Sequence, residues 1–93
     1  MSIEFPNLFS YCQIPVNDVA FSPNGTLLAL ALDGGTVRVM DPRIKEDQLQ
    51  ELNGHGSYDV MAVAFSPTND TLLASGSDDN TVRLNTAHGY LAT

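Results

Sequence analysis

Val19-Ala20-Phe21-Ser22-Pro23 returns as Val63-Ala64-Phe65-Ser66-Pro67, 44 residues further along the chain. Two more blocks follow in the same order. Thr26-Leu27-Leu28-Ala29 comes back as Thr71-Leu72-Leu73-Ala74, and Thr36-Val37-Arg38 as Thr81-Val82-Arg83, both at an offset of 45. One residue has therefore been inserted in the turn after the first block. Three blocks repeated in order are not a chance pairing, and a period in the forties is typical of architectures that use four short strands per repeat.

Within each copy, turn residues separate short apolar segments. The first strands are predicted over Val16 to Phe21 and Val60 to Phe65, the second of which is almost continuously apolar, as for a strand covered on both faces. Ser22-Pro23-Asn24-Gly25 and Ser66-Pro67-Thr68-Asn69-Asp70 follow, rich in residues that preset or tolerate turn dihedrals. Second strands are expected over Leu27 to Ala31 and Leu72 to Gly76, with turns at Asp33-Gly34-Gly35 and Asp78-Asp79-Asn80. Third strands run over Val37 to Met40 and Val82 to Asn85, with Arg38 and Arg83 set between apolar neighbours. Asp47 to Leu52 has helix formers, but its polar character and the Asn53-Gly54 stop fit an exposed outer strand. By the same offset an outer strand near Glu4 to Leu8 precedes the first copy, and Pro6 is tolerable there only on an edge. Apolarity falls from the first strand of each copy to the last, which predicts a sheet with one crowded edge and one wet edge.

Composition narrows the function classes. The 93 residues are 43% hydrophobic and 16% charged, in the range of soluble globular chains. There is no apolar run of about 18 residues, and Glu4, Pro6 and Asn7 stand where a secretory signal needs a basic start and an apolar stretch. The single cysteine, Cys12, forms no internal disulfide. These features read as a cytoplasmic or nuclear chain that is neither exported nor membrane-spanning. The net charge of −7, with only Arg38, Arg43, Lys45 and Arg83 on the basic side, disfavours nucleic acid and anionic membranes as partners. An acidic surface suits solubility or attraction to basic protein segments.

Gly54-His55, Val63 to Pro67, and Leu73-Ala74-Ser75-Gly76-Ser77-Asp78-Asp79-Asn80-Thr81-Val82-Arg83-Leu84 together resemble the WD-repeat family of β-propellers. The resemblance covers about residues 4 to 93 and implies an all-β fold: two four-stranded antiparallel blades, an incomplete propeller. Residues 4–53 make the first repeat with its preceding outer strand, and residues 54–93 the second with its outer strand truncated. In that family a His, a Ser of the second strand, an Asp of the following turn and a Trp of the third strand form a hydrogen-bonded group that stiffens the blade. Carried over, the first three fall on His55, Ser75 and Asp79. Asn85 stands at the Trp position and Thr86 at the Asp that ends the motif. The first copy departs further: Tyr11 or Cys12 lies near the His position, Leu30 at the Ser position, Gly34 at the turn Asp and Met40 at the Trp, and only Asp41 keeps the ending. It resembles a blade held by apolar packing.

His55, Ser75 and Asp79 are also the residue types of a nucleophilic triad, but no glycine-flanked nucleophile elbow accompanies them. A structural network is the expected role, with a serine hydrolase as the competing reading. His55 and His88 lack further ligands at metal spacing, so no metal and no cofactor is expected. Asn24-Gly25-Thr26 and Asn69-Asp70-Thr71 fit the glycosylation pattern yet lie in hairpin turns. Asp33-Gly34-Gly35 has no following helix to make it a phosphate loop. Arg43 and Lys45 lie in a charged run, Asp41 to Glu51, read as a solvated loop.

The resemblance implies a non-catalytic protein-interaction scaffold, with partners bound on the loops before the first strand and between the second and third. Those loops hold Ser57, Tyr58, Asp59, Asp33 and Asp78, and Tyr58 is the leading candidate for a protein or peptide partner. Propellers close with about four to eight blades. Two stacked blades leave two outward faces, and at about 25 cal/mol per Å² an open face of roughly 300–400 Å² forgoes some 8–10 kcal/mol. Self-association, completion by further blades of another polypeptide, or membership of a longer protein would each cover those faces. Because the sequence stops at Tyr90-Leu91-Ala92-Thr93, inside an outer strand, a piece of a longer protein is the expected answer, and a structural piece with no partner of its own is the alternative function.

Overall fold

Turn chemistry divides the chain where the repeat implies. A computed structural model describes residues 14–41 and 50–86, which form seven strands: β1 (Val16–Phe21), β2 (Leu28–Leu32), β3 (Val37–Met40), β4 (Gln50–Leu52), β5 (Val60–Phe65), β6 (Leu72–Ser77) and β7 (Val82–Thr86). All neighbours are antiparallel, in one four-stranded sheet ordered β1-β2-β3-β4 and one three-stranded sheet ordered β5-β6-β7. The first has the four strands of a propeller-type blade, and the second has three among the described residues. The strand expected near Glu4 to Leu8 and the truncated one at Tyr90 to Thr93 lie outside the described residues, as does most of the charged run with Arg43 and Lys45.

The turns form for local reasons. The Asn24 side-chain oxygen accepts from the backbone N–H and the hydroxyl of Thr26, and Asn69 does the same with Thr71. Both are Asx-type turns, which accounts for the two Asn-x-Thr triplets by turn geometry. Ser22 is buried but satisfied, its hydroxyl donating to Asn24 Oδ1 and accepting from the Leu27 N–H.

Strand alternation then sorts side chains between the faces. Ala29, Ala31, Val37, Val39 and Leu52 of the first sheet meet Val60, Val63 and Leu73 of the second in one buried cluster, so the core is the seam between the sheets. On the first sheet's other face Leu28, Leu30, Leu32 and Met40 form a second buried cluster. The second sheet's outward face is open: Val82 is 73% and Leu84 55% exposed. Through the 45-residue offset these two correspond to Val37 and Val39, which the seam buries.

Burial does not follow the gradient that apolarity predicts. In the first sheet the first strand is the exposed one, with Val16, Val19 and Phe21 open while every residue of β2 is buried; in the second, β5 opens Met61 but buries Val60 and Val63. The reason is position in the sheet. β1 and β5 are edge strands, while β2 is flanked on both sides and packed on both faces.

Side chains tie the seam together. Asn17 Nδ2 donates to the Val60 carbonyl at 2.9 Å, and Asp18 Oδ2 accepts the Val63 N–H at 3.0 Å, so β1 satisfies two backbone groups of the edge strand β5. Asp59 Oδ1 accepts the Gly34 N–H at 2.9 Å, and Asp70 Oδ1 the Asn24 N–H at 2.8 Å. Between these contacts Gly35, at φ +94°, approaches so closely that a Cβ there would stand 1.8 Å from the Gly56 carbonyl oxygen. Only glycine fits both the dihedral and the space.

Candidate functional site

His55 lies in the connection from β4 to β5, Ser75 in the middle of β6, and Asp79 in the turn from β6 to β7. Folding brings the three together. His55 Nε2 is 2.8 Å from Ser75 Oγ, and Nδ1 is 2.9 Å from Asp79 Oδ2. An ionised carboxylate only accepts, so Nδ1 carries the proton and Nε2 accepts from the serine hydroxyl. Thr81 completes the group: its hydroxyl and its backbone N–H both donate to Asp79 Oδ1, and the hydroxyl also stands 3.2 Å from Nδ1. The Thr81 hydroxyl is the main cause of the lowering of the Asp79 carboxyl to about 2, aided by His55 and opposed by partial burial. Asn85 takes no part in this group and faces Leu73 across the ladder.

In the first sheet the corresponding Leu30 and Met40 sit in one buried apolar cluster, and Gly34 occupies the turn with φ +90°. Tyr11 and Cys12 lie outside the described residues.

The arrangement has the connectivity of a Ser-His-Asp triad, carboxylate to Nδ1 and Nε2 to hydroxyl. The histidine and the serine are both buried. Ser75 is 2% and His55 3% exposed, and Ser75 is paired on both sides within the sheet, opposite Val63 and Arg83. Both ring nitrogens of His55 are occupied by protein partners, and among the described residues no three His, Cys, Asp or Glu side chains group as metal ligands. His88 lies outside the described residues.

The network lies at one end of the two sheets. There the chain before β1, the β2–β3 turn, the β4–β5 connection and the β6–β7 turn converge. Asp33 N–H donates to the Pro15 carbonyl, Asp78 N–H and the Ser77 hydroxyl donate to the Asp59 carbonyl, and the Tyr58 N–H donates to the His55 carbonyl. Of the loop residues singled out from sequence, Asp59 and Asp33 are engaged within the chain, Asp33 accepting from Asn17 Nδ2 at 2.8 Å. Ser57, Tyr58 and Asp78 face solvent, Tyr58 at 58% exposure.

Sequence reasoning missed two features of this end. The ladder register slips between Val60 and Ala62, and likewise between Val16 and Asp18, so Met61 and Asn17 are the extra residues of β-bulges. A bulge re-aims its side chain. Met61 consequently stands 47% exposed beside the loops, while Asn17 reaches across the seam. The signal in the sequence was the polar pair Asn17-Asp18 inside a strand whose second copy reads Met61-Ala62.

Stacked antiparallel sheets with a repeat in the forties and a hydrogen-bonded His-Ser-Asp group define a propeller-type repeat protein. The model of the WD domain, G-beta repeat matches residues 8–41 and 46–84, and the chain belongs to this family. Two curated relatives carry the same stretch. The ribosome biogenesis protein YTM1 of Scheffersomyces stipitis is 38% identical over 66 residues, covering 67% of this chain, and that of Podospora anserina is 36% identical over 81 residues, covering 84%. The matched stretch spans only 14% and 15% of those two proteins.

Proposed function

We propose that this chain supplies two blades of a protein-interaction scaffold acting in ribosome biogenesis, and that its loop end, centred on Tyr58, is the surface that meets the partner. One observation carries the reading: a large amphipathic side chain is exposed on a connection whose backbone is held from both sheets. Tyr58 follows the buried His55, its neighbour Asp59 binds Gly34 and Asp78, and Gly35 packs against the Gly56 carbonyl. An anchor fixed before binding loses little conformational freedom on contact. The relatives' role in ribosome biogenesis supports the pathway and a nuclear site of action. In this reading His55, Ser75 and Asp79 are a structural brace. The serine hydrolase reading draws on their triad-like connectivity, and the burial of Ser75 weighs against it.

The test is sedimentation of the tagged 93-residue chain through a sucrose gradient from cell extract. The chain is expected to travel with pre-ribosomal particles, and Tyr58→Ala to return it to the light fractions while leaving its β-sheet circular dichroism unchanged. A folded wild-type chain found only in the light fractions overturns the proposal. A fluorophosphonate probe that labels Ser75 stoichiometrically would revive the hydrolase.

A further inference from the structure

We infer that the loop end takes a basic protein segment carrying one bulky apolar residue; this rests on the scaffold reading above and names its partner class. The apolar part of the surface comes first. Tyr58, Met61 and Val16 are all exposed at the same end of the sheets, where β1 and β5 begin. Edge position leaves Val16 open, the bulge turns Met61 outward, and the connection after His55 holds Tyr58. A side chain such as phenylalanine or leucine gains from covering this group, because each of the three is apolar area already ordered and still wet.

Charge selects what surrounds that residue. The loops of this end carry Asp33, Asp59 and Asp78, and among their described residues no lysine or arginine answers them. The two described arginines arise from strands: Arg38 pairs with Glu51 at 2.9 Å, and Arg83 reaches the β4–β5 connection only at Gly54, with no ion pair to Asp33, Asp59 or Asp78 among the described residues. The internal bonds of Asp33 and Asp59 are to neutral amides, which fix both side chains in place without setting a cation beside them. The half-buried Asp79 carboxylate adds a negative charge to the same end. A fixed set of like charges around an apolar centre attracts a cationic segment and repels an acidic one, an effect that weakens as salt screens it.

The experiment is fluorescence anisotropy of the full chain with three short labelled peptides. One has a central phenylalanine among lysines, the second has glutamates in place of the lysines, and the third has alanine in place of the phenylalanine. The lysine peptide is expected to bind at least about tenfold more tightly than either twin at low salt, the gap to the glutamate twin narrowing as salt rises. Tyr58→Ala combined with Met61→Ser is expected to bring the phenylalanine peptide down to the level of its alanine twin. Asp78→Lys is expected to weaken the lysine peptide and strengthen the glutamate one, an exchange that damage to the fold would not produce. Equal binding of the two charge twins, no binding of the lysine peptide, or an unchanged preference in Asp78→Lys overturns the inference. If the chain still sediments with particles through Tyr58 in that case, the scaffold reading survives and only the partner class falls.

Discussion

The two sheets begin from the same repeated blocks and fill one equivalent place in opposite ways. In the first, Leu30 occupies the middle of the second strand and packs with Leu28, Leu32 and Met40. In the second, Ser75 stands there, and its hydroxyl meets the His55 ring, which Asp79 and Thr81 hold in turn. One blade is held by interchangeable apolar contacts, the other by directional bonds that fix a connecting loop. The difference matters because only the second fixes the loop that carries Tyr58. Apolar packing keeps a sheet together, whereas a hydrogen-bonded histidine also sets the path of the chain that enters it.

Exchanging residues between copies tests this contrast. The largest effect is expected at the β2–β3 turn: Gly35→Asn, which installs the second copy's Asn80, costs about 4 kcal/mol in urea unfolding, from a strained dihedral and overlap with the Gly56 carbonyl. The reciprocal Asn80→Gly, at an exposed position with φ 69°, shifts stability by less than about 1 kcal/mol. Comparable costs for the two changes would mean that the seam does not demand glycine.

Next, truncating the equivalent positions separates packing from bonding. Leu30→Ala is expected to cost about 3 kcal/mol through a cavity. Ser75→Ala costs about 2 kcal/mol by leaving His55 Nε2 buried without a partner. The two differ in kind as well. Amide exchange of Tyr58 and Asp59 speeds up in Ser75→Ala and not in Leu30→Ala; equal acceleration would deny the network its hold on the loop.

The smallest effect is one of pH. The Asp79 carboxyl is lowered to about 2 in the fold, against about 3.9 for a free aspartate. Protonation therefore favours the unfolded chain: the contribution of this group is complete above about pH 4 and fades as pH falls toward 2. Asp79→Asn flattens that part of the stability profile. Leu30→Ala, which removes no ionisable group, leaves it as it is.

Much of the fold is legible in the residues alone. The repeat fixed both copies of the first strand, Val16–Phe21 and Val60–Phe65, to the residue, because alternation and turn signals are local properties of backbone and side chain. The types of His55, Ser75 and Asp79 could be picked out through the family pattern for a similar reason: the spacing within one copy is short. Tertiary structure decided what spacing cannot carry. Which strands are covered depends on neighbours far away in sequence, so β1 became an open edge, β5 buried Val60 and Val63 against the other sheet, and the second strand β2 became the most buried. A one-residue slip in the ladder turned Met61 outward, and contacts across more than forty residues committed Asn17 and Asp18 to the seam. Local chemistry names the strands and turns, but side-chain exposure is a property of the assembled sheets, set only when one face finds another to cover it.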